Sequence, residues 1–195
     1  LTTGGFGANL DMVTEYKPEL KGFMTTNAAG AQGQGIEMAT AIGAGTVDMD
    51  QIQTHPTVEP TSATMYTEAV RGNGAILVNK EGKRFMDEKR IAQTYNQENR
   101  DAVIEQYGKD GWDYFWAIND HAAMEQFGLA EGAAEYPGLV IADTLDELAA
   151  KTGMDAEGLK ATVAAWNEMA ANETDTQFGR VVEGGACQQD QIRSE

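Results

Sequence analysis

The sequence predicts an α+β fold: a small mixed sheet with helices packed on it. Three observations lead there. Residues 155–172 form the clearest helix, with Leu159, Val163, Trp166 and Met169 at three- and four-residue steps and Lys160 and Glu168 on the opposite side. Residues 75–79, Ala-Ile-Leu-Val-Asn, are a short apolar run; a turn through Gly82 follows and Arg84-Phe85-Met86 returns, which reads as a β-hairpin. Between these landmarks, short apolar or aromatic runs at 112–118 and 140–142 alternate with segments of helical period.

Taken in order, residues 2–9 are turn-rich, and their glycines Gly4, Gly5 and Gly7 let a backbone approach a ligand closely. Residues 10–16 are a short helix with Asn9 as its N-cap. Residues 27–35 are rich in glycine and alanine and lead into a helix at 35–42, with Gly43 as its C-cap. A glycine loop entering a helix N-terminus is a general anion cradle, and equally a plain loop–helix joint. Residues 96–107 form a helix with Val103, Ile104 and Tyr107 on one side, broken by Gly108 and Gly111. Asn119-Asp120 cap a helix through Gln126 that Gly128 closes. Thr144 caps residues 144–151, with Glu147 in the capping-box position and Leu145 and Leu148 buried. Residues 181–195 are polar and patternless and read as a disordered or non-native tail.

Composition narrows the function. The 195 residues suffice for one domain, or one domain plus part of another, and 42% hydrophobic residues supply a core. A formal charge of −17 argues against a nucleic-acid backbone or an anionic membrane as partner. There is no apolar run long enough to span a bilayer. The single cysteine, Cys187, excludes an intrachain disulfide, and zinc-type spacing is absent. Leu1-Thr2-Thr3 lacks the basic start of a signal peptide and reads as a chain entered midway.

Two motifs carry the chemistry. In Gln53-Thr54-His55-Pro56-Thr57 the proline fixes a turn around a histidine. From Met65 the chain continues Tyr66-Thr67-Glu68-Ala69-Val70-Arg71-Gly72-Asn73-Gly74, placing a hydroxyl, a carboxylate and a guanidinium within five positions. Such a set suits recognition of an anion together with proton relay. Read alone, His55 is more often a structural histidine bonding a backbone carbonyl, and Glu68 with Arg71 a surface ion pair, in contact on a helix and on different faces of a strand.

These motifs, with Gly82-Lys83-Arg84-Phe85, resemble the flavoprotein subunit of soluble fumarate reductases, a family that includes flavocytochrome c fumarate reductase and urocanate reductase. The resemblance runs from about Thr3 to about Arg180. It implies residues 1–50 as part of an α/β FAD-binding domain, 51–180 as its capping, or clamp, domain, and 181–195 as the tail. It implies FAD as cofactor and a small unsaturated dicarboxylate or related acid as substrate: fumarate, urocanate or an acrylate-like acid. The flavin contacts fall on Gly4, Gly5, Asn27, Gly33 and Gln34, the last where the family often has aspartate. His55, Thr67 and Met65 fall at one carboxylate end of the substrate, and Glu68 and Arg71 on a proton path to a catalytic arginine. Counting without gaps places that arginine on Ala92; an insertion of about eight residues aligns Asn99-Arg100-Asp101, so Arg100 is the expected acid and Arg90 the second choice. The family's GxGxxG fingerprint is not in this chain, nor are its later histidine, arginine and glycine-rich flavin contact. An inactive, purely structural capping domain is therefore the alternative. Residues 1–49 are expected to leave unpaired strand edges and apolar surface uncovered, with disorder or a homodimer as the consequence. The sequence names neither electron donor nor compartment.

Overall fold

The computed structural model describes residues 2–89, 97–106, 114–126 and 136–182. It divides into two compact units, Leu1–Met65 and Tyr66–Glu195.

In the first unit, helix α1 (Leu10–Tyr16) starts at Asn9, whose side chain accepts from the Met12 amide at 3.1 Å. A 3-10 turn, Pro18–Leu20, follows, and Lys17 Nζ donates to the Asp50 carbonyl at 3.2 Å. Helix α2 (Gln34–Ala41) opens at Gly33, which is left-handed at φ +82°. Its C-cap is Ile42 rather than Gly43; the glycine comes one residue later, at φ +92°, and donates to Thr40 O at 2.9 Å. Val58 and Met65 form an isolated antiparallel bridge that closes the loop between them.

In the second unit, helix α3 (Glu68–Gly72) runs through the left-handed Gly74 into strand β1 (Ile76–Val78), each residue of which is fully buried. Strand β2 (Trp116–Ile118) pairs with it antiparallel, in the register Ile76↔Ile118, Leu77↔Ala117 and Val78↔Trp116. The expected hairpin return at 84–86 is a single bridge, Val78↔Arg84. The chain leaves β1 after that one bridge, and β2 is the ladder partner of β1 instead; the Arg84 side chain runs to the buried carboxylates of Glu88 and Asp175. The expected strand at 140–142 does not form either: Ile141 is 56% exposed and its carbonyl accepts from Lys151 Nζ at 2.7 Å. Among the described residues the sheet is thus two-stranded and antiparallel rather than mixed.

Helices α4 (Gln97–Gln106) and α5 (His121–Gln126) match two expected helices, and Asp120 caps α5 by accepting from Ala123 N at 2.8 Å. Tyr107, Gly108, Gly111 and Gly128 lie outside the described residues, as does the tail from 183 on, including Cys187. Helix α6 (Leu145–Thr152) begins at Thr144, which accepts from Glu147 N at 3.2 Å. Glu147 reaches back to the Asp143 amide at 3.0 Å, one residue beyond a capping box, and Leu145 and Leu148 are half-buried rather than buried.

Helix α7 (Ala156–Ala171) supplies the core. Leu159, Val163, Trp166 and Met169 pack on Ile76, Val78 and Ile118, the face read from the sequence. The 79–83 turn docks on its N-terminus: Asp155 N donates to Lys80 O at 3.0 Å. A Cβ on Gly82, at φ +69°, would strike the Leu159 amide.

Candidate active site

The sequence-predicted residues fall into groups within each unit. In the first, two glycine loops are stitched by backbone: Ala8 N donates to Ala31 O at 2.9 Å and Gly33 N to Gly5 O at 3.2 Å. Asn9 Nδ2 to Gln32 O at 3.1 Å reinforces them. Gly4, Gly5 and Gly33 meet in this pair of loops. Added Cβ atoms at Gly4 and Gly5 would touch nothing, so their Cα faces are open. Gly33 has no such room; a Cβ there would lie 2.8 Å from Met12 Sδ and 2.9 Å from Phe6 Cβ. Asn27 lies against Gly7 and donates to Thr25 Oγ1 at 3.1 Å. Gln34 is exposed at the start of α2. The surface so formed offers neutral donors and bare backbone, with no Lys or Arg among those five predicted flavin contacts.

The neighbouring cleft of about 420 Å³ between α1 and α2 is lined by Asp11, Glu15 and Glu37 and by none of the predicted site residues. Its charge suits no carboxylate ligand. Among the described residues no cluster of side chains is arranged to hold a metal ion.

His55 is oriented by its own turn. Its Nδ1 accepts from the Thr57 amide at 3.3 Å, which leaves the proton of a neutral ring on Nε2 and makes that edge a donor. Met65 is 47% exposed, at the end of the bridge with Val58.

In the second unit Thr67 is the N-cap of α3 but makes no capping bond with its side chain, so its hydroxyl stays exposed at the helix entrance. Glu68 and Arg71 share this short helix, as the helical alternative required. They are not a surface pair: Glu68 is exposed, whereas Arg71 is fully buried. Arg71 Nη1 donates to the Glu88 carbonyl at 3.1 Å. Its Nε and Nη2 find no acceptor among the described residues. Burial pushes its pKa below the ordinary value; the charges of Glu68 and Glu88 oppose the shift and that of Arg180 adds to it.

Arg100 lies on α4, its side chain outside the described residues, and Arg90 is outside them altogether.

Sequence reasoning missed the groups around Arg71. The Glu88 carboxylate is fully buried and accepts from Leu77 N at 3.2 Å, Arg84 Nε at 2.8 Å, Arg84 Nη2 at 2.7 Å and Arg180 Nη1 at 3.2 Å. Arg84 Nη2 also pairs with Asp175 at 2.9 Å. The guanidinium carbons of Arg84 and Arg180 lie 4.4 and 4.6 Å from the centroid of the Trp166 ring. For Arg84, burial pushes the pKa down, but hydrogen bonds and charge from Glu88 and Asp175 outweigh it and raise it. The available signal was Gly82-Lys83-Arg84-Phe85 itself, with a glutamate four residues after its arginine.

Sequence comparison puts the chain in the flavin-binding class: the family model for the FAD binding domain matches residues 1–192. The chain belongs to that family, whose cofactor is FAD. It is 41% identical over 187 residues to an NADH:fumarate oxidoreductase of Klebsiella pneumoniae (strain 342), covering 92% of this chain and 19% of that protein. It is 39% identical over 183 residues to a fumarate reductase (cytochrome) of Shewanella frigidimarina, covering 92% of this chain and 30% of that one. Its fold matches the open conformation of a flavocytochrome c3 fumarate reductase with a TM-score of 0.76 at 34% identity, over 99% of this chain and 32% of that one. The chain therefore spans less than a third of the length of each.

The residues present fit part of a flavin site. Flavin ring edges accept hydrogen bonds, and the open backbone at Gly4 and Gly5 with the amide side chains of Asn27 and Gln34 supplies donors without a competing cation.

Proposed function

We propose that this chain provides the substrate-clamping, capping part and one edge of the flavin site of an FAD-dependent reductase acting on the C=C bond of a small unsaturated carboxylate. Residues 51–180 form the capping part and residues 1–50 belong to the FAD-binding domain. The names of the relatives favour fumarate as the substrate. Gly4, Gly5, Gly33, Asn27 and Gln34 would hold the cofactor, which when bound supplies the hydride.

The other tasks fall to this chain's side chains. His55, through Nε2–H, and the exposed Thr67 hydroxyl donate to one substrate carboxylate, and Met65 packs beside it. Arg100 delivers the proton to the alkene carbon. Arg71 and Glu68 return a proton to Arg100 from solvent, Glu68 at the wet end and Arg71 at the buried end. An arginine exchanges protons only where its charged form is disfavoured.

The observation that carries this reading is the buried Arg71 guanidinium with two donor nitrogens that no described residue accepts. A buried cation with unmet donors is costly unless it serves a ligand or a relay. The test is turnover of fumarate, urocanate and acrylate by the flavin-loaded protein with a reduced dye as donor. Arg71→Gln and Glu68→Gln should each lower kcat by about a hundredfold, the range expected for loss of a proton-transfer group. Retention of flavin with no turnover of any of the three acids would overturn the reading. A folded chain that retains no flavin would favour the structural capping domain instead.

A further inference from the structure

Arg71 is held from two directions by residues outside its own motif. Its Nη1 is fixed on the Glu88 carbonyl at 3.1 Å, while its own carbonyl accepts from Arg180 Nη2 at 3.0 Å. Arg180 Nη1 donates to the Ala75 carbonyl at 2.8 Å and to Glu88 Oε2 at 3.2 Å. One guanidinium therefore ties both ends of the 71–75 segment to the residue that receives Arg71. These partners are buried: Arg180 is 2% exposed and Glu88 0%. Glu88 cannot turn away, because Leu77 N and Arg84 take up its carboxylate.

We propose that Arg180 and Glu88 are positioning residues for Arg71, locking one edge of its guanidinium so that the edge bearing Nε and Nη2 stays turned to the proton path. The role rests on the reading of Arg71 given above. A guanidinium has five N–H groups and a long, rotatable stem. Left to itself in a buried site, Arg71 would turn until those donors met nearby backbone carbonyls, and it would then exchange no protons. Anchoring Nη1 on a carbonyl, and the segment's own carbonyls on Arg180, removes that freedom. The charges are matched as well. Arg180 repels the proton on Arg71, while Glu88 and Glu68 attract it; Arg84 and Asp175 complete the set through Glu88.

The test reads Arg71 directly and needs no flavin. Arginine Nε–H groups are followed in ¹⁵N–¹H spectra of the protein, with the Arg71 signal assigned by its loss in Arg71→Lys. Arg180→Lys keeps the charge and loses the fork; hydrogen exchange at Arg71 Nε should then fall at least about tenfold, as the released guanidinium turns its donors onto nearby carbonyls. Gln177→Ala removes the 3.4 Å contact of Arg84 Nη1 with Gln177 Oε1 without touching the side-chain bonds of Arg180 or Glu88, and should leave that rate within about twofold. Glu88→Gln, a second variant should Arg180→Lys not fold, should lower the exchange rate in the same way. In the flavin-loaded protein it should also move the alkaline limb of kcat/KM to lower pH, since a charge that holds the Arg71 proton is gone. An unchanged or raised exchange rate in Arg180→Lys, or an equal fall in Gln177→Ala, would overturn the positioning role. Full turnover by Arg71→Lys would sink the proton-path reading and this role with it; an inactive Arg71→Lys with exchange unmoved by Arg180→Lys would sink the positioning role alone.

Discussion

The two units of this chain solve opposite problems. The glycine loops at 2–9 and 27–35 are held by backbone bonds and side-chain amides, and the surface beyond them stays apolar and open: Met38 is 72% exposed, Ile42 89% and Val47 81%. Around Trp166 the reverse holds. Arginines and carboxylates are sealed from water and paired with one another. Neutral donors suit a cofactor edge, where charge would bias the ring. Buried charges fix one another in place, which suits the arginine that, on the proposed reading, passes a proton. A charge removed from water keeps its strength, because nothing screens it, and it demands a partner for the same reason.

The comparison breaks most severely at Glu88. Its carboxylate meets three donor groups, those of Leu77, Arg84 and Arg180. Glu88→Ala strands two buried guanidinium groups and should destabilise the second unit by about 3–5 kcal/mol, read as a lowered denaturation midpoint. Ile42→Ala in the first unit should change stability by no more than about 0.5 kcal/mol, because its side chain already meets water. Equal losses from the two substitutions would contradict the contrast.

Next in size is Gly82→Ala. The position has φ +69°, and a Cβ would press on the backbone of Gly158 and Leu159, which cannot swing aside as a side chain does. A loss of about 2–3 kcal/mol is expected by thermal unfolding. Full stability would mean that the turn is free to leave α7.

How much of this was legible in the sequence follows the range of the forces. Asn9, Asp120 and Thr144 cap helices as read, because a cap is local chemistry within four residues. The face of α7 is as read, since its period reports the core directly. The hairpin at 84–86 and the strand at 140–142 were misread for want of partners: a strand needs a neighbour, and no local pattern tells whether one arrives. The motif residues His55, Thr67 and Arg71 stand out in the sequence; the burial of Arg71 does not. Arg71 and Arg180 are 109 residues apart, and nothing near either one announces that contact. The sequence suggested a boundary near residue 50 on family grounds; compactness divides the chain between Met65 and Tyr66.

A smaller effect is expected at Asn9. Its side chain both caps α1 and donates to Gln32 O, joining the two glycine loops. Asn9→Ala should lower stability by about 1 kcal/mol in denaturant. Asn9→Ser keeps a capping oxygen but is too short to reach Gln32. It should recover the helix while flavin retention falls; equal flavin retention by Asn9→Ser and the parent would show that the loops hold without this tie.

The smallest effect is electrostatic and sits in the first unit, where it tests whether neutral partners alone can fix a charge. Glu59 accepts from the Ser62 hydroxyl at 2.6 Å, the Ser62 amide at 2.6 Å and the Thr61 amide at 3.0 Å. The Ser62 and Thr61 side chains hold its carboxyl down to about 2, from an ordinary 4.5. Because the folded value lies below the unfolded one, the stabilisation is complete above about pH 4.5 and is lost as the pH falls toward about 2. The loop it pins ends at Met65, paired with Val58. Acid should therefore loosen the 59–64 loop, seen as faster amide exchange at Thr61 and Ser62 below about pH 4. Glu59→Gln should remove that pH dependence and leave the loop at its acid-state mobility throughout. If Thr61 and Ser62 exchange with the same protection at pH 3 and pH 6, after correction for intrinsic rates, the carboxylate is not what holds the loop, and the backbone bonds Glu59 N to Thr64 O and Ala63 N to Glu59 O carry it instead.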